Sequence, residues 1–105
     1  MNTEQQELLR AKLNMETSRI AWKELQRFFA SGAAIEVNAK LDLVEVAMQM
    51  SHDNKTQIEQ WLTSNQIGKV TDQQAAVWLA ADTEVWAIVV SPWVLVQEIM
   101  DKTAH

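Results

Sequence analysis

Val85-Trp86-Ala87-Ile88-Val89-Val90-Ser91-Pro92-Trp93-Val94-Leu95-Val96 is apolar at almost every position. A strand with one wet face alternates apolar and polar side chains, so a run without alternation has both faces covered. The cover comes either from helices of the same chain or from a second subunit. Residues 85–90 are rich in β-branched side chains and form the best strand in the chain. Two readings compete for the residues after Val90. Ser91-Pro92 is a good N-cap and N1 pair and would open a helix. Val94 and Val96 argue instead for a second strand after a proline bend, and that is the preferred reading. A tight hairpin is not expected, because proline cannot adopt the positive φ of the common two-residue turns.

Upstream of this run, Thr71-Asp72-Gln73-Gln74 has capping-box form and opens an alanine-rich helix to about Ala81. That helix carries Val77, Trp78 and Leu79. Residues 67–70 read as a turn or a very short strand. Asp53-Asn54 caps a peripheral helix over about 55–65, whose apolar stripe is Ile58, Trp61 and Leu62. The helix before it, from about Ala39 to His52 with Asn38 as its cap, is apolar around most of its circumference and therefore central. Residues 34–37 are a short strand. Residues 3–31 read as helix, in one piece or two, closed by Gly32 at the C′ position. At about 100° per residue, Ile20, Ala21, Trp22, Leu25, Phe28 and Phe29 share one arc. Lys12, Arg19, Lys23 and Arg27 gather opposite, with Glu16 among them.

This order predicts an α+β fold, a single small domain over residues 1–105 with about four helices packed on a small sheet. Residues 1–8 and 100–105 are expected to fray. A winged-helix-like topology is the alternative. In it the helix at 55–65 would be a recognition helix presenting Lys55, Thr56, Gln57, Glu59 and Gln60. One lysine beside one glutamate is a poor set for binding phosphates, and the helix at 72–81 interrupts the usual path to the wing.

At 105 residues, the chain is long enough for one domain. The absence of cysteine excludes disulfides, a thiolate nucleophile and cysteine-ligated metal. It also points to a reducing cytoplasm. No apolar h-region marks the N-terminus, so no signal peptide is expected. The apolar run is shorter than the roughly 20 residues a membrane helix needs and contains Pro92, so it reads as core. A net charge of −5 opposes non-specific binding to nucleic acid and to anionic lipid.

No catalytic signature is present. The serines lie in no nucleophile motif, and two glycines cannot build a phosphate loop. No cofactor and no metal are expected, and the balance leans away from an enzyme. Asp42, Glu45, His52 and Asp53 are the only cluster with acid–base or metal character. Metal sites usually draw several ligands at close helical spacing with a second histidine, and the only other one is His105. A solvated polar stripe is the simpler reading. Arg19, Lys23 and Arg27 could hold an anion or an acidic partner, although cations on the outer face of an amphipathic helix are the default. The interface candidates are Trp86, Ile88, Val89, Trp93 and Leu95, from the two-sided run. A homodimer or contact with another protein is the leading functional expectation. A nucleic-acid-binding regulator and an enzyme centred on His52 are the alternatives.

Three segments carry a resemblance: RAKLNMETSRIAWKELQRFFASG, KLDLVEVAMQMSHDNKTQIEQWL and VWAIVVSPWVLVQE. Together they resemble a family of short bacterial proteins known as domain-of-unknown-function family 2288, from about Leu9 to Glu98. The third segment is the most specific. The resemblance implies a bacterial, stand-alone, single-domain protein. It brings no activity, cofactor or catalytic residue.

Overall fold

The structure, a computed structural model, describes residues 3–100. The chain runs α1 (Thr3–Glu16), β1 (Ser18–Ala21), a 3-10 turn (Trp22–Leu25), α2 (Gln26–Ala30), β2 (Ala34–Val37), α3 (Leu43–Ser51), α4 (Lys55–Thr63), β3 (Ile67–Lys69), α5 (Asp72–Ala80), β4 (Glu84–Val90) and β5 (Trp93–Glu98). The strands form one mixed sheet in the order β1-β4-β5-β2-β3. Only β5 and β2 are parallel. The fold is thus the α+β domain that the sequence predicts, with five α-helices among the described residues. The winged-helix alternative is not needed. Residues 1, 2 and 101–105, including His105, lie outside the described residues; α1 starts at Thr3, within the end expected to fray.

The two-sided apolar run supplies β4 and β5, two strands with a neighbour on each side. Alternation along them feeds two cores. Ile88 and Leu95 pack with Leu13, Val46, Ala47 and Met48, under α1, α3 and α4. Val85, Ala87, Val94 and Val96 pack with Trp22, Leu25, Ala75 and Trp78, under the 3-10 turn, α2 and α5. Both faces are therefore covered by helices of the same chain, which is why neither strand alternates in polarity. Among the described residues no helix is long and apolar enough to cross a membrane.

Three local expectations need correction. First, β4 and β5 do form a tight hairpin. Val90 pairs with Trp93 across Ser91-Pro92, and that bond is cis. A cis proline in a turn needs no positive φ, so the fixed φ of Pro92 does not bar the hairpin. Second, the segment 3–31 is not one helix. α1 ends at Glu16, the Thr17 hydroxyl donates to Leu13 O at 2.8 Å, and residues 18–21 pair with Glu84–Ala87. Third, α3 starts at Leu43. Its cap is Asp42, whose Oδ1 accepts from Val44 N at 3.0 Å and Glu45 N at 3.3 Å. Asn38 instead closes a turn by accepting from Lys40 N at 2.8 Å. The expected caps at Asn54 and Thr71 are in place, accepting from Gln57 N and Gln74 N.

Four helices end alike. Gly32, Asp53, Asn65 and Asp82 have φ of 78°, 54°, 61° and 51°. The N–H after each bonds the carbonyl five residues back: Ala33 to Phe28, Asn54 to Gln49, Gln66 to Trp61 and Thr83 to Trp78. This is the Schellman closure, for which glycine is the unstrained residue. Asp82→Gly is therefore expected to raise stability by about 1 kcal/mol in urea denaturation. The exposed Lys23–Asp82 pair it removes, at 3.7 Å, contributes little.

Candidate functional site

The tip of the β4–β5 hairpin meets the α3–α4 turn in a groove of about 440 Å³. Met50, Ile58, Val90 and Trp93 supply its apolar lining, with Asp53, Lys55, Glu59 and Ser91 among them. The groove arises because α3 closes at Asp53 in the left-handed conformation, which turns the chain back into α4. Beside it Val89 is 59% exposed, on the opposite face of β4 from Val90. Of the interface candidates, Trp93 and Val89 thus remain accessible at one end of the sheet. Ile88 and Leu95 are 1% and 0% exposed and present no surface, because they are core residues under α1 and α3. Trp86 is half-buried further along β4 and carries the Arg19 guanidinium over its ring at 5.6 Å.

The basic stripe is dispersed. Arg19 lies on β1 and donates to Glu84 Oε1 at 3.3 Å. Lys23, on the 3-10 turn, faces Asp82. Arg27, on α2, sits over the Phe28 ring at 5.0 Å. A single helix from 3 to 31 would have aligned them; the strand inserted at 18–21 turns Arg19 onto the sheet. Lys55 shares the hairpin groove with Asp53 and Glu59, so that surface has no excess of positive charge for a phosphate backbone.

Two members of the polar stripe, Asp42 and Glu45, are taken up by structural contacts. Asp42 caps α3. Arg10 on α1 reaches Glu45 at 2.6 Å and Asp42 at 3.7 Å, clamping α1 to the start of α3. Hydrogen bonds from Gln49 and Arg10 hold the Glu45 carboxyl below the usual carboxylate range. His52 is the C-cap of α3, and its Nε2 is buried without a partner. Asp53 belongs to the hairpin groove. Among the described residues no group of three or more His, Asp or Glu is placed to hold a metal ion.

Two features are not apparent from the sequence. One is Glu36 on β2, whose carboxyl is raised above its ordinary range by burial and then by the charge of Glu98. The other is a cleft of about 390 Å³ between the end of α1 and the start of α3. Trp86 and Gln97 line it from the sheet. Gln97 is 9% exposed and donates through Nε2 to Asn38 O at 3.0 Å and to Leu41 O at 2.7 Å. Strand alternation, which puts Gln97 on the same face as Trp93 and Leu95, is the signal that could have found it.

Comparison with known proteins places this architecture. The solution NMR structure of PA1075 from Pseudomonas aeruginosa is similar to this chain, with a TM-score of 0.79 and 44% identity. The similarity covers 100% of this chain and 97% of that one. No curated protein matches the chain. A family model described as "Protein of unknown function (DUF2288)" matches residues 8–98, and the chain belongs to that family.

Proposed function

We propose that the protein is a small non-enzymatic cytoplasmic protein that acts by contact with protein chains, a second copy of itself included. The observation that carries the reading is the hairpin tip, where Val89 stands exposed beside the groove that Trp93, Val90, Met50 and Ile58 line. Leu8, Met15, Leu62, Val77, Leu79 and Met100 are also exposed, but Val89 is the exposed apolar side chain next to the groove residue Val90. Burying side chains of this kind contributes roughly 1.5–3 kcal/mol each when complete, enough for a few of them to hold a modest complex. Aromatic anchors such as Trp93 are enriched in such contacts.

The test is size-exclusion chromatography with light scattering on natively purified protein. The wild type is expected at twice the chain mass and Val89→Glu and Trp93→Glu at the monomer mass, with unchanged circular dichroism. Dimers that survive both substitutions would place the contact elsewhere, and a monomeric wild type would remove self-association from the reading. Val89→Glu is the cleaner variant, because Val89 takes little part in the core.

A further inference from the structure

We propose that the cleft beside Trp86 binds a small, uncharged, planar heterocycle that carries an N–H donor. It shares no lining residue with the hairpin groove, so it stands apart from the self-association reading.

Gln97 sets the polarity of the cleft. Its Nε2 gives hydrogen bonds to two backbone carbonyls, those of Asn38 and Leu41. Both partners accept only, so the amide cannot be turned over without setting oxygen against oxygen. Its Oε1 is thereby fixed and accepts no hydrogen bond among the described residues. Among the described residues the fully buried side-chain nitrogen and oxygen atoms without a partner are the indole nitrogens of Trp22 and Trp78 and Nε2 of His52. Gln97 Oε1 is not one of them, so it reaches solvent, and the cleft is the opening that Gln97 lines. An oriented acceptor in a cleft whose lining is half apolar favours a ligand that brings a donor.

The surroundings define the rest of the ligand. Leu41, Leu43, Val44 and Trp86 line the cleft with apolar surface, and Trp86 brings an aromatic ring to it, to which a planar aromatic partner can pack by edge or by face. The guanidinium of Arg19 over that ring holds it in place. The volume of about 390 Å³ falls in the range of small-molecule sites, about 300–1,000 Å³. An anion is disfavoured. The carboxylate of Asp42 borders the cleft, while the nearby cations Arg10 and Arg19 are committed to Glu45 and Glu84. Thr17 offers no competing donor to Gln97, since its hydroxyl donates to Leu13 O.

Indole and 1-methylindole are the probes. They share a planar apolar body and differ in the donor. The full chain, labelled with nitrogen-15, is titrated with each to a few millimolar while the side-chain signals of Gln97, Trp86 and Asn14 are followed. Saturable shifts at these three groups with indole, weakened about tenfold or more with 1-methylindole, are the expected result. Asn14→Phe, at an exposed position on the rim, is expected to fill the mouth and abolish the shifts at Gln97 and Trp86. The proposal is overturned if indole gives no saturable shift at these groups. It is equally overturned if 1-methylindole binds as well, or if a folded Asn14→Phe binds indole unchanged. Should Asn14→Phe fail to fold, the comparison of the two probes on the wild-type chain decides.

Discussion

Replacing Trp22 by alanine is expected to lower the stability of the domain by about 3–5 kcal/mol, the cost of emptying a large aromatic site in a packed core. Trp22 is 0% exposed and Trp78 is 2% exposed. Their rings meet edge-to-face at 5.1 Å, and Phe29 closes on Trp22 at 5.8 Å. These rings fill the space between the sheet and the layer of the 3-10 turn, α2 and α5. The short elements of that layer offer few other anchors. A domain's whole stability is about 5–15 kcal/mol, so the alanine variant should show a much lower urea midpoint and a pretransition slope at room temperature. Trp22→Phe should cost substantially less. It keeps an aromatic ring and removes an indole N–H that is buried without an acceptor, a group that is unfavourable to leave unpaired. Equal losses from the two variants would show that shape, not volume, dominates this site.

The same residue shows how far the sequence can be read. Trp22 is a core residue, as its apolar neighbours imply, yet helical periodicity assigns it to the arc of a long helix. Ile20, Ala21, Trp22, Leu25, Phe28 and Phe29 do share a face at helical spacing, and no glycine or proline interrupts residues 3–31. What makes 18–21 a strand lies far along the chain, in the open edge of β4 that pairs Ser18 with Ala87 and Ala21 with Glu84. Local periodicity cannot register a distant edge that needs a partner. Loss of the single helix also places Arg19, Lys23 and Arg27 on three different elements, β1, the 3-10 turn and α2. By contrast, the caps at Asn54 and Thr71 depend on atoms within three residues and are legible. So is the absence of alternation in 85–96, which requires two covered faces. Whether the cover is a helix or a second subunit is not legible, because it depends on how α1 and α3 pack on the sheet.

Gln97→Leu is expected to cost about 2–3 kcal/mol, since a leucine of similar size leaves two carbonyls without donors at an almost buried site. Those carbonyls belong to Asn38 and Leu41, in the loop that leads from β2 into α3. The Gln97 amide therefore ties β5 to that loop, just before the Asp42 cap. Gln97→Glu separates hydrogen bonding from packing. A carboxylate only accepts, so at neutral pH it would face two carbonyl oxygens with no proton between them. Its folded-state pKa would be raised above the unfolded value, so its destabilisation is full above the folded pKa. It is progressively relieved as pH falls through that value, because the protonated acid can donate to one carbonyl. The expected outcome is that urea midpoints of Gln97→Glu and the wild type converge on acidification, whereas those of Gln97→Leu and the wild type stay apart. Wild-type stability of Gln97→Leu, with a pH profile parallel to that of Gln97→Glu, would mean that the fold needs only the volume of Gln97 and that the two hydrogen bonds contribute nothing net.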